Sequence, residues 1–369
     1  MRGRVDAQGA LFCVVDAESL IPADHPLRAI QRRVDAELRR MRRAFAAAYW
    51  AVGRPSIPPE PLIKGTLLQA LYSIRSERQL CEQIGYNILF RWFLGLSLDA
   101  PVWDHSVFSK NRERFAAHGL MRRFFEGSVA QAIAEEAASV EHFSVDGTLI
   151  EAWASMKSVR LKDAPDDPPG DWNRWTDWHG EKRSNATHES KTDPEARLAR
   201  KGPGKPAVLS HSLHVVMDNR AGLVMNVDLD SADGKAERRS ALRMLRRLRQ
   251  RHWARPKTLG ADKGYDDGAF LHELENEHRV APHVASRSGP IRAFGPEAVA
   301  RRKARDRQGA IGYRISQRVR RRTEEIFGWL KTIAGLRKTR FIGRWKTQLY
   351  AYAAAAAYNF MRIPKLIPA

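Results

Sequence analysis

Cysteine is nearly absent from this chain, whose 369 residues include only Cys13 and Cys81. Two cysteines without C-x-x-C spacing build neither a disulfide framework nor a thiolate zinc site. The clearest histidine candidates for a metal site, His211 and His214, are three residues apart in a predicted strand and would point to opposite faces. We therefore expect no metal site of cysteine or histidine, and a reducing cytoplasm as the setting.

Long apolar runs are missing as well. The first residues are mixed and polar, without the apolar core of a signal peptide. The alanine-rich run Ala351–Ala357 is too short to cross a bilayer and is better explained as part of a packed helix. We therefore expect a cytoplasmic protein with no membrane partner.

Negative charge is scarce relative to positive charge. The chain has 63 Lys and Arg residues against 42 Asp and Glu residues, a net charge of +21, and its pI is near 10.4. Such a charge balance attracts phosphate backbones. A ribosomal-type protein, or a basic surface that serves only solubility, stays open as the plainer explanation. The 43% of hydrophobic residues is enough for a folded core.

Residues 1–139 are predicted to form a helical domain. Apolar residues recur there with helical spacing at Leu27, Ile30, Val34, Leu38 and Met41. Further helices are expected over 61–74, 87–94, 106–117 and 121–138. One more helix should begin at residues 76–79, which have the spacing of a capping box, and Gly95 should end the helix over 87–94. A scaffold for oligomerisation and a DNA-recognition domain are both compatible with this pattern, and we expect DNA recognition.

Residues 140–369 change to a mixed pattern. Strands are predicted over 142–150, 210–218, 223–229, 257–261 and 279–284, and helices over 236–253, 269–277, 316–336 and 347–361. Two segments are predicted to be irregular: a loop insertion at about 155–207 and a basic connection over 286–316. This order is expected of an RNase H-like α/β fold, a mixed sheet with flanking helices.

Three short acidic segments stand out: Val145–Thr148, Gly260–Tyr265 and Arg320–Phe327. In the predicted fold Asp146 lies on the central strand, Asp262 follows a neighbouring strand, and Glu324 projects from a late helix. Two divalent cations about 3.5–4 Å apart can activate a nucleophile and stabilise the leaving oxygen of a phosphodiester. Because Mg²⁺ prefers carboxylate oxygens, we predict that these three residues are catalytic and bind two Mg²⁺ ions, with Mn²⁺ as a possible substitute.

The predicted late helix carries a matching set of charges. Arg320, Glu324 and Lys331 would lie within about 40° of one another around an ideal helix. An apolar stripe would dock that helix on the sheet: Ile326, Leu330 and Ile333. A solvated Arg–Glu pair would explain Glu324 if it stood alone. The other two acidic segments favour the catalytic role, and Glu325 stays open as the second choice.

Two segments resemble the first-aspartate and second-aspartate segments of DDE transposases from bacterial insertion sequences, in the insertion-sequence-five and insertion-sequence-four-like group: 145–155 and 258–266. The third segment of that family has Tyr, Arg, Glu and Lys separated by two, three and six residues. Arg320, Glu324 and Lys331 match this spacing, and Gln317 takes the tyrosine position. Shorter similar segments extend over nearly the whole chain.

The resemblance implies a DNA transposase that binds terminal inverted repeats, hydrolyses a DNA strand, and then uses the 3′-hydroxyl to attack target DNA. Its implied partners are double-stranded DNA, as repeats and as target, and a second copy of the chain, because two DNA ends are handled together. We expect a nucleoid-associated protein. The expected DNA-binding residues are Arg183, Lys263, Tyr265, Arg320, Lys331, Arg337, Lys338 and Arg340. The arginine-rich helix 236–253 is a further candidate for phosphate contacts.

Two other functions stay open. A structure-selective endonuclease with the same sheet would share the three acids and would cut DNA without joining 3′ ends to a target. A catalytically silent repressor would bind the repeats without needing a metal ion. The presence of all three acids argues against the repressor.

Overall fold

The computed structural model describes residues 16–49, 56–162, 183–202 and 204–367. Within these ranges the first part of the chain is helical, as predicted. Its helices are α1 (Ala17–Leu20), α2 (Pro26–Arg40), α3 (Arg42–Ala48), α4 (Pro59–Leu71), α5 (Glu77–Tyr86), α6 (Ile88–Leu94), α7 (Ser106–Ala117) and α8 (Leu120–Ala134).

The local signals in the sequence explain where these helices begin and end. The apolar residues of α2 that recur with helical spacing are buried. Ser76 begins α5, because its side chain accepts a hydrogen bond from the backbone N–H of Gln79 at 3.1 Å. Gly95 ends α6 with φ of 75°, a left-handed conformation that favours glycine.

The second part of the chain forms a mixed sheet. Its strands are β1 (His142–Glu151), β4 (Arg197–Ala199), β5 (Val208–Asp218), β6 (Val224–Ser231), β7 (Thr258–Ala261) and β8 (Ala281–Val284), and a separate pair is made by β2 (Val159–Leu161) and β3 (His188–Ser190). The long strands lie in the order β6-β5-β1-β7-β8. The pairs β6–β5 and β5–β1 are antiparallel, and β1–β7 and β7–β8 are parallel. This is the RNase H-like arrangement.

Helices flank and follow the sheet: α9 (Ala236–His252), α10 (Gly268–Asn276), α11 (Pro296–Asp306), α12 (Ile311–Arg320), α13 (Thr323–Thr332) and α14 (Arg344–Leu366). The prediction of an irregular connection over 286–316 was wrong, because α11 and the start of α12 lie there. The helix predicted over 316–336 is also interrupted, since a turn at Arg321 and Arg322 separates α12 from α13.

The predicted loop insertion at about 155–207 is partly regular. Its described residues include β2 and β3, and also β4, which pairs with the first residues of β5. Residues 163–182 of the insertion lie outside the described ranges. The flanks of the predicted loop or insertion that the structure describes therefore contain short strands.

One long helix joins the two parts of the molecule. Helix α14 packs on α2, α4 and α8 of the helical part and also on β6 of the sheet. Its alanine run Ala353–Ala357 is fully buried, which permits close approach from several sides. Most buried apolar residues therefore form one continuous core across both parts, and a small second cluster lies around Val159 and Leu209. Among the described residues no helix is long and apolar enough to span a bilayer.

Candidate active site

The register of the sheet brings the first two acidic segments together. Ser144 on β1 is the parallel partner of Gly260 on β7. Two residues further along each strand, Asp146 and Asp262 stand at the same level. Alternate residues of a strand share a face, and neighbouring strands are about 4.8 Å apart. The two carboxylates therefore project side by side where β7 ends.

Asp146 is held by three hydrogen bonds. Its Oδ1 accepts from the backbone N–H of Gly147 at 2.8 Å, and its Oδ2 accepts from Arg320 at 3.0 Å and from the Thr323 hydroxyl at 3.2 Å. Asp262 caps the short 3-10 turn Lys263–Tyr265, and its Oδ1 accepts from the backbone N–H of Gly264 at 2.8 Å. Each carboxylate is thus oriented by the backbone that follows it.

The two aspartates repel each other. Burial raises the pKa of Asp146, and the charge of Asp262 raises it further. The hydrogen bond from Gly147, the positive charge of Arg320 and the hydrogen bond from Thr323 oppose this rise without cancelling it. A half-buried pair of like charges is costly unless a cation is bound between them.

Helices α12 and α13 close one side of this site. Gln317, which takes the tyrosine position of the third segment, donates to the backbone carbonyls of Ala261 at 3.0 Å and His283 at 2.5 Å. It therefore fixes α12 across the ends of β7 and β8. Further along, Lys331 on α13 donates to the Thr148 hydroxyl at 2.5 Å. The contacts of Arg320, Thr323 and Lys331 dock this region against β1.

Glu324 lies next to Thr323 in the first turn of α13, and its side chain is exposed. Glu325 is exposed too, but its charge acts on Tyr358 of α14, so it lies toward a different neighbour. Within the described residues, no three His, Cys, Asp or Glu side chains converge closely enough to hold a metal ion. The assignment of Glu324 as the third metal ligand stays a prediction.

A different glutamate lies beside the two aspartates. Burial raises the pKa of Glu237, and the charges of Asp262 and Asp146 raise it further, against the opposing charges of Arg238 and Arg287. Glu237 is in the first turn of α9, and the sequence prediction missed it. One signal was available: Glu237 is the only acidic residue in a helix rich in arginine.

Tyr265 is buried beneath the same carboxylates. It is 1% exposed, and its ring packs on Phe270 with 5.7 Å between the ring centroids. Burial raises the pKa of Tyr265 well above its ordinary value, and the charges of Glu237, Asp146 and Asp262 raise it further. Its prediction as a DNA-binding residue was wrong, because a buried ring offers no surface to DNA.

The other predicted DNA-binding residues differ in their availability. Lys263 and Arg337 are exposed. Lys338 forms an ion pair with Glu151 at 3.0 Å, and Arg183 is half-buried. Arg340 donates to the carbonyls of Ile74 and Arg75 and stacks on Tyr350 at 4.4 Å, which ties the end of the sheet region to the helical part.

The DNA-binding role of Arg340 stays a prediction, and these internal contacts make it a weaker candidate than an exposed, unpaired cation. The arginines of α9 are mostly used in the same way. Six of them form ion pairs with acidic residues: Arg238, Arg239, Arg243, Arg246, Arg247 and Arg251. Helix α9 is consequently a weaker candidate for phosphate contacts than its composition suggested.

Comparisons with known proteins match the chain to two families and to a solved structure. Residues 15–114 match a family described as a transposase domain (DUF772), and residues 175–360, half of the chain, match the family of transposase DDE domains. No curated protein matches the sequence. A solved Mos1 transposase paired-end complex with left transposon end aligns at 14% identity and a TM-score of 0.21, over 78% of this chain and 81% of that chain.

Proposed function

The chain belongs to the family of transposases with a DDE domain, and from this membership we propose that Asp146, Asp262 and Glu324 are its catalytic residues. The enzyme is a DNA transposase, a polynucleotidyl transferase. The observation that carries the assignment is the pairing of Asp146 and Asp262 at one level of the sheet, where the charge of Asp262 raises the pKa of Asp146 beyond the larger effect of burial. Two such carboxylates fit the role of metal ligands.

DDE transposase domains use divalent metal ions. The residues present here fit such an ion: the donors are carboxylate oxygens, the hard ligands that Mg²⁺ prefers, and their mutual repulsion would be relieved by a cation. The Tyr265 hydroxyl, buried beside them without a hydrogen-bond partner among the described residues, also indicates a polar occupant. When bound, two Mg²⁺ ions, or Mn²⁺ in their place, would activate the attacking oxygen and stabilise the leaving oxygen.

The surrounding cations have separate roles in this proposal. Arg320 and Lys331 lie on either side of Glu324 along the chain and contact the strand that carries Asp146, so they are placed to orient a phosphate group at the site. Lys263 and Arg337 are exposed and would contact the DNA backbone further away. The net charge of +21 supports attraction to DNA as a whole.

The substrate that we propose is double-stranded DNA carrying the terminal inverted repeats of an insertion sequence of the insertion-sequence-five group. Water would be the first nucleophile, and the released 3′-hydroxyl would attack target DNA. A homodimer would hold the two ends together. The helical part of the chain would recognise the repeats, because its exposed faces carry many cationic residues.

The test uses labelled duplexes made from the DNA that flanks the coding region, incubated with the full chain with and without Mg²⁺. We expect strand cleavage at the repeat ends, then products joined to target DNA, only when Mg²⁺ is present. Asp146→Asn should bind the same duplexes with nearly unchanged affinity and lose cleavage and joining by about a thousandfold or more.

Three outcomes would change this assignment. Undiminished joining by Asp146→Asn would remove Asp146 from the active site. Cleavage without joined products would favour the structure-selective endonuclease. Binding to the repeats without any metal-dependent product would favour the catalytically silent repressor.

A further inference from the structure

A cleft of about 580 Å³ opens beside the proposed active site. It is lined by Gly147, Thr148 and Leu149, the residues of β1 that directly follow Asp146. The end of β4, with the loop after it, forms one side of the cleft, and the chain that leads into α9 forms the other. The cleft therefore begins one residue from Asp146.

Glu237 connects this cleft to the second aspartate. It lines the cleft at the start of α9. The position that a Cβ atom would take on Gly264 is 2.9 Å from Oε2 of Glu237 and 3.0 Å from Oδ1 of Asp262. Both carboxylates thus reach the same small space, which glycine leaves open. A chain molecule that lay in the cleft would therefore extend to the proposed catalytic residues.

The side of the cleft formed by β4 carries two cations that the sequence pattern did not single out. Arg200 and Lys201 line it, and both are exposed. Neither forms an ion pair with any residue that the structure describes. Across the cleft, Asp233 is already paired with Arg239 at 3.0 Å. The two positive charges are therefore available to an anionic ligand.

Two further cations act on the same region. Lys331 donates a hydrogen bond at 2.5 Å to the hydroxyl of Thr148, which lines the cleft. Burial lowers the pKa of Lys331, and the positive charges of Lys201 and Arg337 lower it further. Like charges gathered in this way repel one another, and a bound anion relieves that repulsion.

The plainer explanation of Arg200 and Lys201 is a solvated loop, since charged residues outside regular elements are usually exposed. Solvation alone does not require that these cations line a cleft next to carboxylates. The strand before them is also fixed on two sides. It pairs with β5, and Asn185 donates to the carbonyl of Leu198 at 2.9 Å and accepts from its N–H at 2.8 Å. The fold therefore holds the start of this loop beside the cleft.

The volume of the cleft limits the ligand. Pockets of roughly 300–1,000 Å³ suit molecules of drug size, so this cleft accommodates about one or two nucleotides of a single strand and not a duplex. A cationic groove that follows the phosphate backbone is the usual means of binding a single strand. The position, charge and size of the cleft therefore all fit single-stranded DNA.

We propose that this cleft binds a single strand of DNA that extends from the proposed active site, and that Arg200 and Lys201 contact its phosphate groups. This inference rests on the proposed function, because the strand belongs to the same DNA substrate. It adds two DNA-binding residues from the loop after β4.

The test compares two fluorescently labelled DNA duplexes, one blunt and one with a single-stranded overhang, in anisotropy titrations with the full chain and without metal ions. Arg200→Gln/Lys201→Gln should bind the overhang duplex about tenfold or more less tightly at about 0.1 M salt, because two phosphate contacts are lost. It should bind the blunt duplex nearly as tightly as the wild type does. For the overhang duplex, the slope of log affinity against log salt concentration should become less steep by about 1.4, which is about 0.7 for each phosphate contact.

The matched control is Arg249→Gln/Arg255→Gln, which removes the same charge elsewhere. Both arginines are exposed, and Arg249 lies about 18 Å from Glu237 along α9. This variant should bind both duplexes as the wild type does. Equal losses in the two double variants would mean that net charge alone is responsible, and equal losses on the two duplexes would mean that the cations bind duplex DNA. Either result would overturn the inference.

The outcomes separate this inference from the proposed function. If Arg200→Gln/Lys201→Gln bound the overhang duplex as tightly as the wild type, the inference would be overturned, and metal-dependent cleavage by the wild type would leave the proposed function standing. If the wild type cleaved no DNA but the variant lost affinity for the overhang, the cleft would stand and the proposed function would fail. If the double variant misfolded, Lys201→Gln alone would decide, since a slope change of about 0.7 supports the inference and an unchanged slope overturns it.

Discussion

Helix α9 contacts two groups of carboxylates whose charges are compensated in different ways. The structural group, Asp228 and Asp230 on β6, is almost fully buried and is paired with arginines of α9 and α14. We call the second group, Asp146, Asp262 and Glu237, the catalytic group because of the role proposed for its two aspartates. Among the described residues, Arg320 is its one ion-pair partner.

The pKa of Asp230 moves in the opposite direction to the pKa values of Asp146 and Glu237. Burial alone would raise the pKa of Asp230, but hydrogen bonds from Arg239, the Ser231 N–H and Arg243 hold it well below its ordinary value. The pKa values of Asp146 and Glu237 are raised by burial and by their acidic neighbours. Fully compensated acids stabilise the fold, whereas acids that are only partly compensated and share one small space favour a site that binds a cation.

The largest effect that would sharpen this contrast concerns the late-helix glutamates. We expect Glu324→Gln to slow strand cleavage at labelled repeat ends by about a hundredfold or more, because it would remove a carboxylate that completes the catalytic group. Glu325→Gln should change the rate by less than about threefold, because Glu325 lies toward Tyr358. The measurement is the single-turnover rate constant of cleavage.

The two variants control for each other, since they remove the same charge from adjacent exposed positions. Unfolding curves should coincide for both variants and the wild type. A larger loss of cleavage in Glu325→Gln than in Glu324→Gln would mean that Glu325, and not Glu324, is the catalytic glutamate.

The sequence was sufficient to predict an RNase H-like order of strands that brings Asp146 and Asp262 close together. Asp146 and Asp262 each follow a run of strand-forming residues, and alternation along a strand places such residues on one face. It was not sufficient for Glu237, because its position depends on how α9 crosses the sheet. Two glycines, Gly147 and Gly264, open the space for it, and their meaning becomes visible only when the elements are packed.

The predictions about cationic residues have a similar limit. Composition predicts where positive charge lies along the chain but not which charges are already paired. Arg340 and the arginines of α9 were expected at DNA, and the fold uses them for internal contacts. In contrast, the predicted separation of the two histidines holds: His211 contacts Asp193 at 3.2 Å, whereas His214 lies against Gly147.

A smaller effect tests the histidine between the two groups. Burial lowers the pKa of His214 to about 4 from 6.5, against the attraction of Asp228 and Asp230. The unfolded chain therefore binds a proton below pH 6.5 that the folded chain does not bind until about pH 4. Lowering the pH from 7.5 to 5 should lower the free energy of unfolding of both proteins. The decrease should be about 2 kcal/mol larger for the wild type than for His214→Gln.

The measurement is urea unfolding of both proteins at several pH values, with the difference between them plotted against pH. Using the difference cancels the titration of the other groups that both chains share. A difference that stayed constant over this range would mean that His214 has an ordinary pKa or is protonated in the folded state.

The smallest effect concerns the structural group. Asp230→Asn should lower the free energy of unfolding by about 1.5 kcal/mol, because it weakens pairs between a buried acid and arginines that are themselves partly exposed. Metal binding should not change, since Asp230 lies outside the catalytic group. The free energy of unfolding is measured by urea unfolding at neutral pH. The Mn²⁺ affinity is measured from the electron paramagnetic resonance signal of free Mn²⁺ titrated with the protein.

Asp233→Asn is the matched control, because Asp233 also pairs with Arg239, at 3.0 Å, but is 38% exposed. Asp233→Asn should lower the free energy of unfolding by less than about 0.5 kcal/mol, as is usual for surface ion pairs. If Asp230→Asn were as stable as Asp233→Asn and instead bound Mn²⁺ more weakly, the division into a structural and a catalytic group would fail. The arginines around Asp230 would then belong to the metal site rather than to the fold.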